Sequence, residues 1–179
     1  PVGGGLDYRR WPVTEDGRSL YWAGLNKGKR SIMLNVRSPE GREIAHALIC
    51  RAGDQSGMLL SNLPARGWLD FETLKARRND LIMVNITGSR DASAQLDYTV
   101  NVASGFPWIT GAADQATPVN HVMPVWEVVA ALSAVQAILA AERHRRATGE
   151  GQFAKLALTD TAFATLSHLG FIAEAQVNK

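Results

Sequence analysis

Leu81-Ile82-Met83-Val84-Asn85-Ile86 restricts the fold more than any other segment, because it is apolar almost throughout and shows water no polar face. A strand wetted on one side alternates apolar and polar residues. One without alternation is covered on both sides, as strands are in parallel sheets flanked by helices. Neighbouring segments extend this pattern. Ser31-Ile32-Met33-Leu34-Asn35-Val36, Met58-Leu59-Leu60-Ser61-Asn62 and Phe153 to Leu158 are also strand-like. Helical patterns separate them. Ser38 caps and Pro39 opens one that runs to about Ala52, with Gly53 as its stop, and Asp70 caps a short one through Leu74 to Arg78. In the longest, Pro124 suits the first turn, Val128, Val129, Leu132, Val135, Ile138 and Leu139 recur at three- and four-residue steps, and Gly149 ends it. Thr161 to Ala175 reads as a last helix. Strands joined through helices require right-handed crossovers. The predicted class is therefore α/β, an open parallel sheet with helices on both faces. Ile32, Leu34, Leu59, Leu60, Ile82, Met83 and Val84 are expected in adjacent buried strands.

Charge and motif content narrow the function. With 19 Lys and Arg against 17 Asp and Glu, the net charge of +2 is too small for a nucleic-acid-binding surface. The single cysteine, Cys50, sits among Ile44, Leu48 and Ile49, excludes an intrachain disulfide and points to a structural thiol in a reducing, cytoplasmic compartment. No apolar run is expected to reach the ~18–20 residues of a membrane helix. His46, His121, His144 and His168 are dispersed, so no metal is expected, and Gly3-Gly4-Gly5 lacks the preceding strand of a dinucleotide fingerprint. The chain opens on Pro1 and closes on Lys179 as a piece of a longer protein would.

In open α/β sheets ligands bind beyond the carboxyl ends of the strands. Asn62 and Leu63 follow one strand there, Thr87-Gly88-Ser89-Arg90 follow the next, and Arg66 lies in the loop Pro64-Ala65-Arg66-Gly67-Trp68. Arginines such as Arg66, Arg9 and Arg10 suit phosphate, whereas Lys27, Lys29 and Arg30 serve equally as a solvated charge run. Glu127 falls in the first turn of the long helix, where free N–H groups and the helix dipole favour an anion. Arg143, His144, Arg145 and Arg146 complement the opposite pole.

In chain order, Asp7-Tyr8-Arg9-Arg10-Trp11, Leu25-Asn26-Lys27-Gly28-Lys29-Arg30-Ser31, Ser38-Pro39-Glu40-Gly41-Arg42-Glu43, Ser61-Asn62-Leu63-Pro64, Ser104-Gly105 with Thr110-Gly111, and Arg145-Arg146-Ala147-Thr148-Gly149-Glu150-Gly151-Gln152 resemble the class III CoA-transferase family. The likeness runs through nearly the whole chain. It implies that residues 1–179 are part of a large, Rossmann-like CoA-binding α/β domain, with a small domain and a C-terminal segment lying outside the chain. It further implies an interlocked homodimer at full length, acyl-CoA and a carboxylic acid as partners, and neither nucleic acid nor membrane. Coenzyme A would be a substrate moiety, without a tightly bound cofactor or metal.

Members of this family carry a nucleophilic aspartate in a Pro-x-x-Asp context at the start of this helix. That carboxylate attacks an acyl-CoA thioester and passes through an anhydride and an enzyme-bound thioester. The matching residue here is Glu127, one methylene longer. By the same resemblance Arg9, Arg10, Asn62, Leu63 and Arg66 face the CoA, while Asp97, Tyr98 and His121 border the acyl pocket; Asp97 and Tyr98 serve equally as a helix cap and a packed aromatic. The racemase relatives have a histidine base where this chain has Leu96, which moves no proton. Gly3 to Tyr8, Tyr21 to Arg30, Pro64 to Trp68, Asn120-His121-Val122 and Ala141 to Arg146 narrow the likeness to intramolecular transferases. These isomerases move CoA between two carboxyl groups of a branched unsaturated dicarboxylic acid. The alternative is a non-catalytic CoA-binding relative that has lost the family nucleophile.

Overall fold

The computed structural model describes residues 5–178, which fall into two compact units divided between Ile49 and Cys50. Of the opening glycine run, Gly3 and Gly4 lie outside the described residues.

The first unit carries a 3-10 turn at Leu6–Arg9 and helices α1 (Leu20–Leu25) and α2 (Pro39–Ile49). Ser19 caps α1 by accepting the Trp22 N–H at 3.0 Å, and Ser38 accepts the Gly41 N–H at 3.1 Å. Position 41 requires glycine, since a Cβ there would lie 2.1 Å from the Asn35 carbonyl oxygen. The helix stops three residues before Ala52, beyond which Ser56 Oγ donates to the carbonyls of Arg51 (2.8 Å) and Ala52 (3.0 Å).

One expectation fails here. Residues 31–36 form no strand, and Ile32 and Met33 are exposed. An apolar run becomes a strand only where a neighbour offers ladder bonds. The sheet closes at three strands without this segment, and its end curls into a turn in which Asn35 O accepts the Ser38 N–H.

The second unit holds that sheet. Strands β1 (Met58–Ser61), β2 (Ile82–Thr87) and β3 (Phe153–Ala157) run parallel in the order β1-β2-β3. Leu59 pairs with Met83, and Asn85 with Lys155. The central strand is sealed on both faces: Ile82, Met83 and Val84 are at most 1% exposed. As an edge strand, β1 leaves Leu60 exposed, contrary to the expected burial. The buried polar residue of β2 has a defined task. Asn85 Nδ2 donates to Ser61 O (2.9 Å) and Leu63 O (2.7 Å), tying down the loop that leaves β1.

Between β1 and β2 lies α3 (Phe71–Lys75), shorter than the predicted helix but capped as expected, with Asp70 Oδ2 accepting the Thr73 N–H. After β2 come α4 (Asp97–Ser104), α5 (Phe106–Ile109) and α6 (Val125–Thr148), which Gly149 ends at φ 78°. The predicted helix 161–175 is two helices, α7 (Leu158–His168) and α8 (Phe171–Val177), broken where Gly170 turns left-handed at φ 85°.

The direction of α6 sets the geography of the unit. Trp126 and Ala130 pack with Val100, Leu158 and Ala162 against Ile86 and Leu156, near the carboxyl ends of the strands. Further along, Ala137 and Ala141 border a hollow of about 280 Å³ with Ile82, Val84 and Phe153. At the far end the buried Arg145 donates to Ser56 O (2.9 Å) and Asp54 O (3.0 Å), in the loop entering β1. Thus α6 runs antiparallel to the strands, with its N-terminus at their carboxyl edge. It is also long and apolar enough to cross a membrane by length and composition, which corrects the expectation that no such segment exists.

The amino edge is locked by a second arginine. Arg78 grips the Asp80 carboxylate with Nε (2.7 Å) and Nη2 (3.1 Å) and also donates to Gly53 O. This grip, supported by the nearby charge of Arg145, holds the Asp80 carboxyl below its ordinary range against the opposing effect of burial.

Candidate active site

The carboxyl edge of the sheet is built from three strand exits. Asn62 and Leu63, both exposed, follow β1, and Arg66, also exposed, precedes a 3-10 turn at Gly67–Leu69. After β2, Gly88 O accepts the Thr159 N–H at 3.1 Å, joining the β2 exit to the start of α7, and Arg90 pairs with Asp160 at 3.1 Å. In the same loop Ser89 and Ser93 hydrogen-bond the Asp91 carboxylate, which brings its pKa to about 2. The hollow beneath α6 lies toward the amino ends of the strands; its lining holds no nucleophile or titratable group.

At this edge α4 and α6 bring three of the named residues together: Asp97, His121 and Glu127. Pro124, at the N-cap of α6, has no side chain able to accept a hydrogen bond, so the N–H groups that follow need acceptors from elsewhere. Asp97 supplies one. Its Oδ2 accepts from the backbone N–H of Trp126 at 2.7 Å and of Glu127 at 3.1 Å. The carboxylate is 1% exposed, and its charge faces the positive pole of a 24-residue helix. His121 Nε2 lies 3.0 Å from Asp97 Oδ1, an ion-pair distance, although the two atoms are not aligned for a direct hydrogen bond.

One helical turn along α4, Asn101 Oδ1 accepts the Trp126 indole N–H at 3.1 Å, while its Nδ2 donates to Asn120 Oδ1 at 2.5 Å. Asn120 Oδ1 also accepts the His121 N–H at 3.0 Å. Phe106 stacks on Trp126 with ring centroids 5.8 Å apart. The first turn of α6 and the loop before it are therefore tied to α4 by four hydrogen bonds. Asn101 and Asn120 were not singled out as functional residues from sequence, although the four-residue step from Asp97 to Asn101 puts both on one face of α4.

Above this buried network the Glu127 side chain is exposed, on a backbone fixed by Asp97. An exposed carboxylate at a helix N-terminus is free to meet an electrophile. Tyr98, next to Asp97, is about half exposed. Arg9 and Arg10 belong to the first unit, where Arg9 is exposed and Arg10 is engaged locally, donating to Asp7 (3.2 Å) and to the Tyr21 hydroxyl (3.3 Å). Among the described residues no group of three or more His, Cys, Asp or Glu is placed to hold a metal ion.

Comparison with known proteins identifies the family. Residues 1–176 match the family described as CoA-transferase family III. The chain is similar to 2-methylfumaryl-CoA isomerase of Chloroflexus aurantiacus, 54% identical over 179 residues that cover 99% of this chain and 44% of that protein. It is also similar to succinate–glutarate CoA-transferase of Agrobacterium fabrum, 34% identical over 92% of this chain and 44% of that protein. A crystal structure of a CAIB/BAIF family protein from Brucella suis superposes with a TM-score of 0.82 at 28% identity, over 98% of this chain and 48% of that one. The chain spans less than half the length of these relatives.

Proposed function

This chain belongs to CoA-transferase family III, and from that membership we propose that it forms part of an enzyme moving coenzyme A between carboxyl groups, with Glu127 as the nucleophile. The observation that carries the reading is the exposed Glu127 carboxylate on the first turn of α6, at the carboxyl edge of the sheet. A Glu127 oxygen attacks the thioester carbonyl carbon, the C–S bond breaks, and CoA leaves as the thiolate. The thiolate then attacks the Glu127 carbonyl of the mixed anhydride, giving a glutamyl-CoA thioester and freeing the substrate carboxylate. A second carboxylate opens that thioester and the sequence runs backward, leaving a new acyl-CoA and Glu127 restored. No oxidant or external proton is consumed, and the activated bond passes from thioester to anhydride to thioester without being lost to water.

The 54% identity to 2-methylfumaryl-CoA isomerase favours an intramolecular reaction, in which both carboxyl groups belong to one branched unsaturated dicarboxylic acid such as 2-methylfumarate. Asn62, Leu63 and Arg66, on the same edge, are assigned to the CoA moiety. Tyr98 and His121 are assigned to the side of the acyl group, with Asp97 buried beneath them. A cytoplasmic location and a full-length homodimer belong to the same reading. Glu127→Gln fills the same volume without a nucleophilic oxygen. Transfer should be abolished while CoA affinity is kept, and hydroxylamine should trap an acyl hydroxamate at residue 127 only in the wild type. Unimpaired turnover in Glu127→Gln would remove Glu127 as nucleophile; CoA binding without any trapped adduct in the wild type would favour the non-catalytic relative.

A further inference from the structure

We propose that Asp97 is the positioning residue for Glu127: a buried carboxylate on α4 that sets the register of the first turn of α6 and so fixes where the reacting carboxylate stands. The inference rests on the reading of Glu127 as nucleophile. It departs from the assignment of Asp97 to the acyl pocket, because Asp97 is 1% exposed and its Oδ2 is occupied by two backbone N–H groups, one of them that of Glu127 itself.

The local sequence explains why an outside residue is needed. Pro124 leaves α6 without a cap of its own, and the Val125 N–H turns back to Met123 O at 2.8 Å. The next two N–H groups, of Trp126 and Glu127, would otherwise lack acceptors. With Asp97 in place, the start of α6 is referenced to α4, and α4 is in turn packed on α7 through Val100 and Ala162. His121 stands against Oδ1, and Asn101 holds the Trp126 indole, so the carboxylate cannot swing without breaking several contacts. A longer side chain at the nucleophile position makes this anchoring matter more. Glutamate has one more rotatable bond than aspartate, so its reach is defined only if its Cα is held.

The test compares Asp97→Ala and Asp97→Asn in the full-length enzyme. Asp97→Ala removes the acceptor, and kcat should fall about 10- to 100-fold, with KM for the acyl-CoA changed less than about twofold, since misplacement by about an ångström costs on that order. Asp97→Asn keeps one acceptor oxygen and should recover kcat to within about fivefold of wild type. Unchanged kcat in Asp97→Ala, or a rise in KM alone, overturns the proposal. So does an Asp97→Asn variant as slow as Asp97→Ala, which would mean that Asp97 acts through its charge and not as an acceptor. Should Asp97→Ala fail to fold, amide exchange in the wild type decides: slow exchange at Trp126 and Glu127 is expected, and solvent-like exchange there would refute the anchoring. An active Glu127→Gln defeats the nucleophile reading, whereas an inactive Glu127→Gln beside a fully active Asp97→Ala defeats this inference alone.

Discussion

Arg145→Met keeps the length and apolar stem of a buried side chain while deleting its guanidinium. In the folded protein that group lies 2.9 Å from Ser56 O and 3.0 Å from Asp54 O, with longer approaches to Gly57 O (3.3 Å) and Asp80 O (3.4 Å). Only the two short contacts count fully, because the longer ones share one nitrogen. Hydrogen bonds to a charged group contribute about 1.5–3 kcal/mol each, and removing one partner of a buried charged cluster costs about 3–5 kcal/mol. Asp54 and Gln55 are exposed, so water can reach part of the loop. That places the expected loss near the lower end, about 3 kcal/mol. Urea unfolding followed by far-UV circular dichroism measures it. The control is the adjacent residue: Arg146 is exposed and pairs with Glu142, and Arg146→Met should change stability by no more than ~0.5 kcal/mol. A loss below about 1 kcal/mol for Arg145→Met, or equal losses for the two variants, would refute the view that Arg145 clasps the strand-entry loop.

Two further outcomes follow from the amino edge. The Asp80 carboxyl is depressed below its ordinary value of 3.8, chiefly by its hydrogen bond to Arg78, so its contribution to stability is present above that value and is lost as pH falls through the lower folded value; Asp80→Asn should therefore be destabilised at pH 7, with the gap to wild type closing in urea titrations as pH falls below 3.8, and a gap independent of pH would contradict this. Gly151→Ala would bring a Cβ to 2.1 Å from the Leu81 carbonyl oxygen, a backbone atom with no room to retreat, so unfolding should shift by at least about 2 kcal/mol, and a neutral effect would show that the chain relaxes there.

How much of this was legible from sequence depended on whether the information was local. The runs at 58–61, 82–87 and 153–157 are bounded by turn residues and emerge as parallel strands. The α6 boundaries follow from Pro124 and Gly149. Residues 31–36 carry the same kind of apolar run, yet strand formation is a property of two partners and the segment has none among the described residues. Gly170 advertises the break between α7 and α8, but the apolar pattern on either side masks it. Arg145 and Arg146 look identical at a helix end; which one turns inward depends on a loop about 90 residues away in the chain. Asp97 is the sharpest case. A capping role is readable from its residue type, but the helix that it caps begins 28 residues later, and only the packing of α4 on α6 reveals it.

Helices ordinarily loosen from their ends, where backbone groups lack partners and opening is least costly. The 24 residues of α6, roughly 36 Å of helix, escape that order. Asp97 grips the first turn from α4 and Arg145 fastens the last turn to the strand entries, while between them Val128, Leu132, Val135 and Leu139 stand exposed at alternating four- and three-residue steps. The helix is a beam clamped at both supports, with Ala130, Ala134 and Ala141 buried along one face and the opposite face bare. Deuterium should be as slow to enter at its two ends as along that buried face. The end that carries Glu127, the part an unrestrained helix would surrender earliest, becomes one of the last to move.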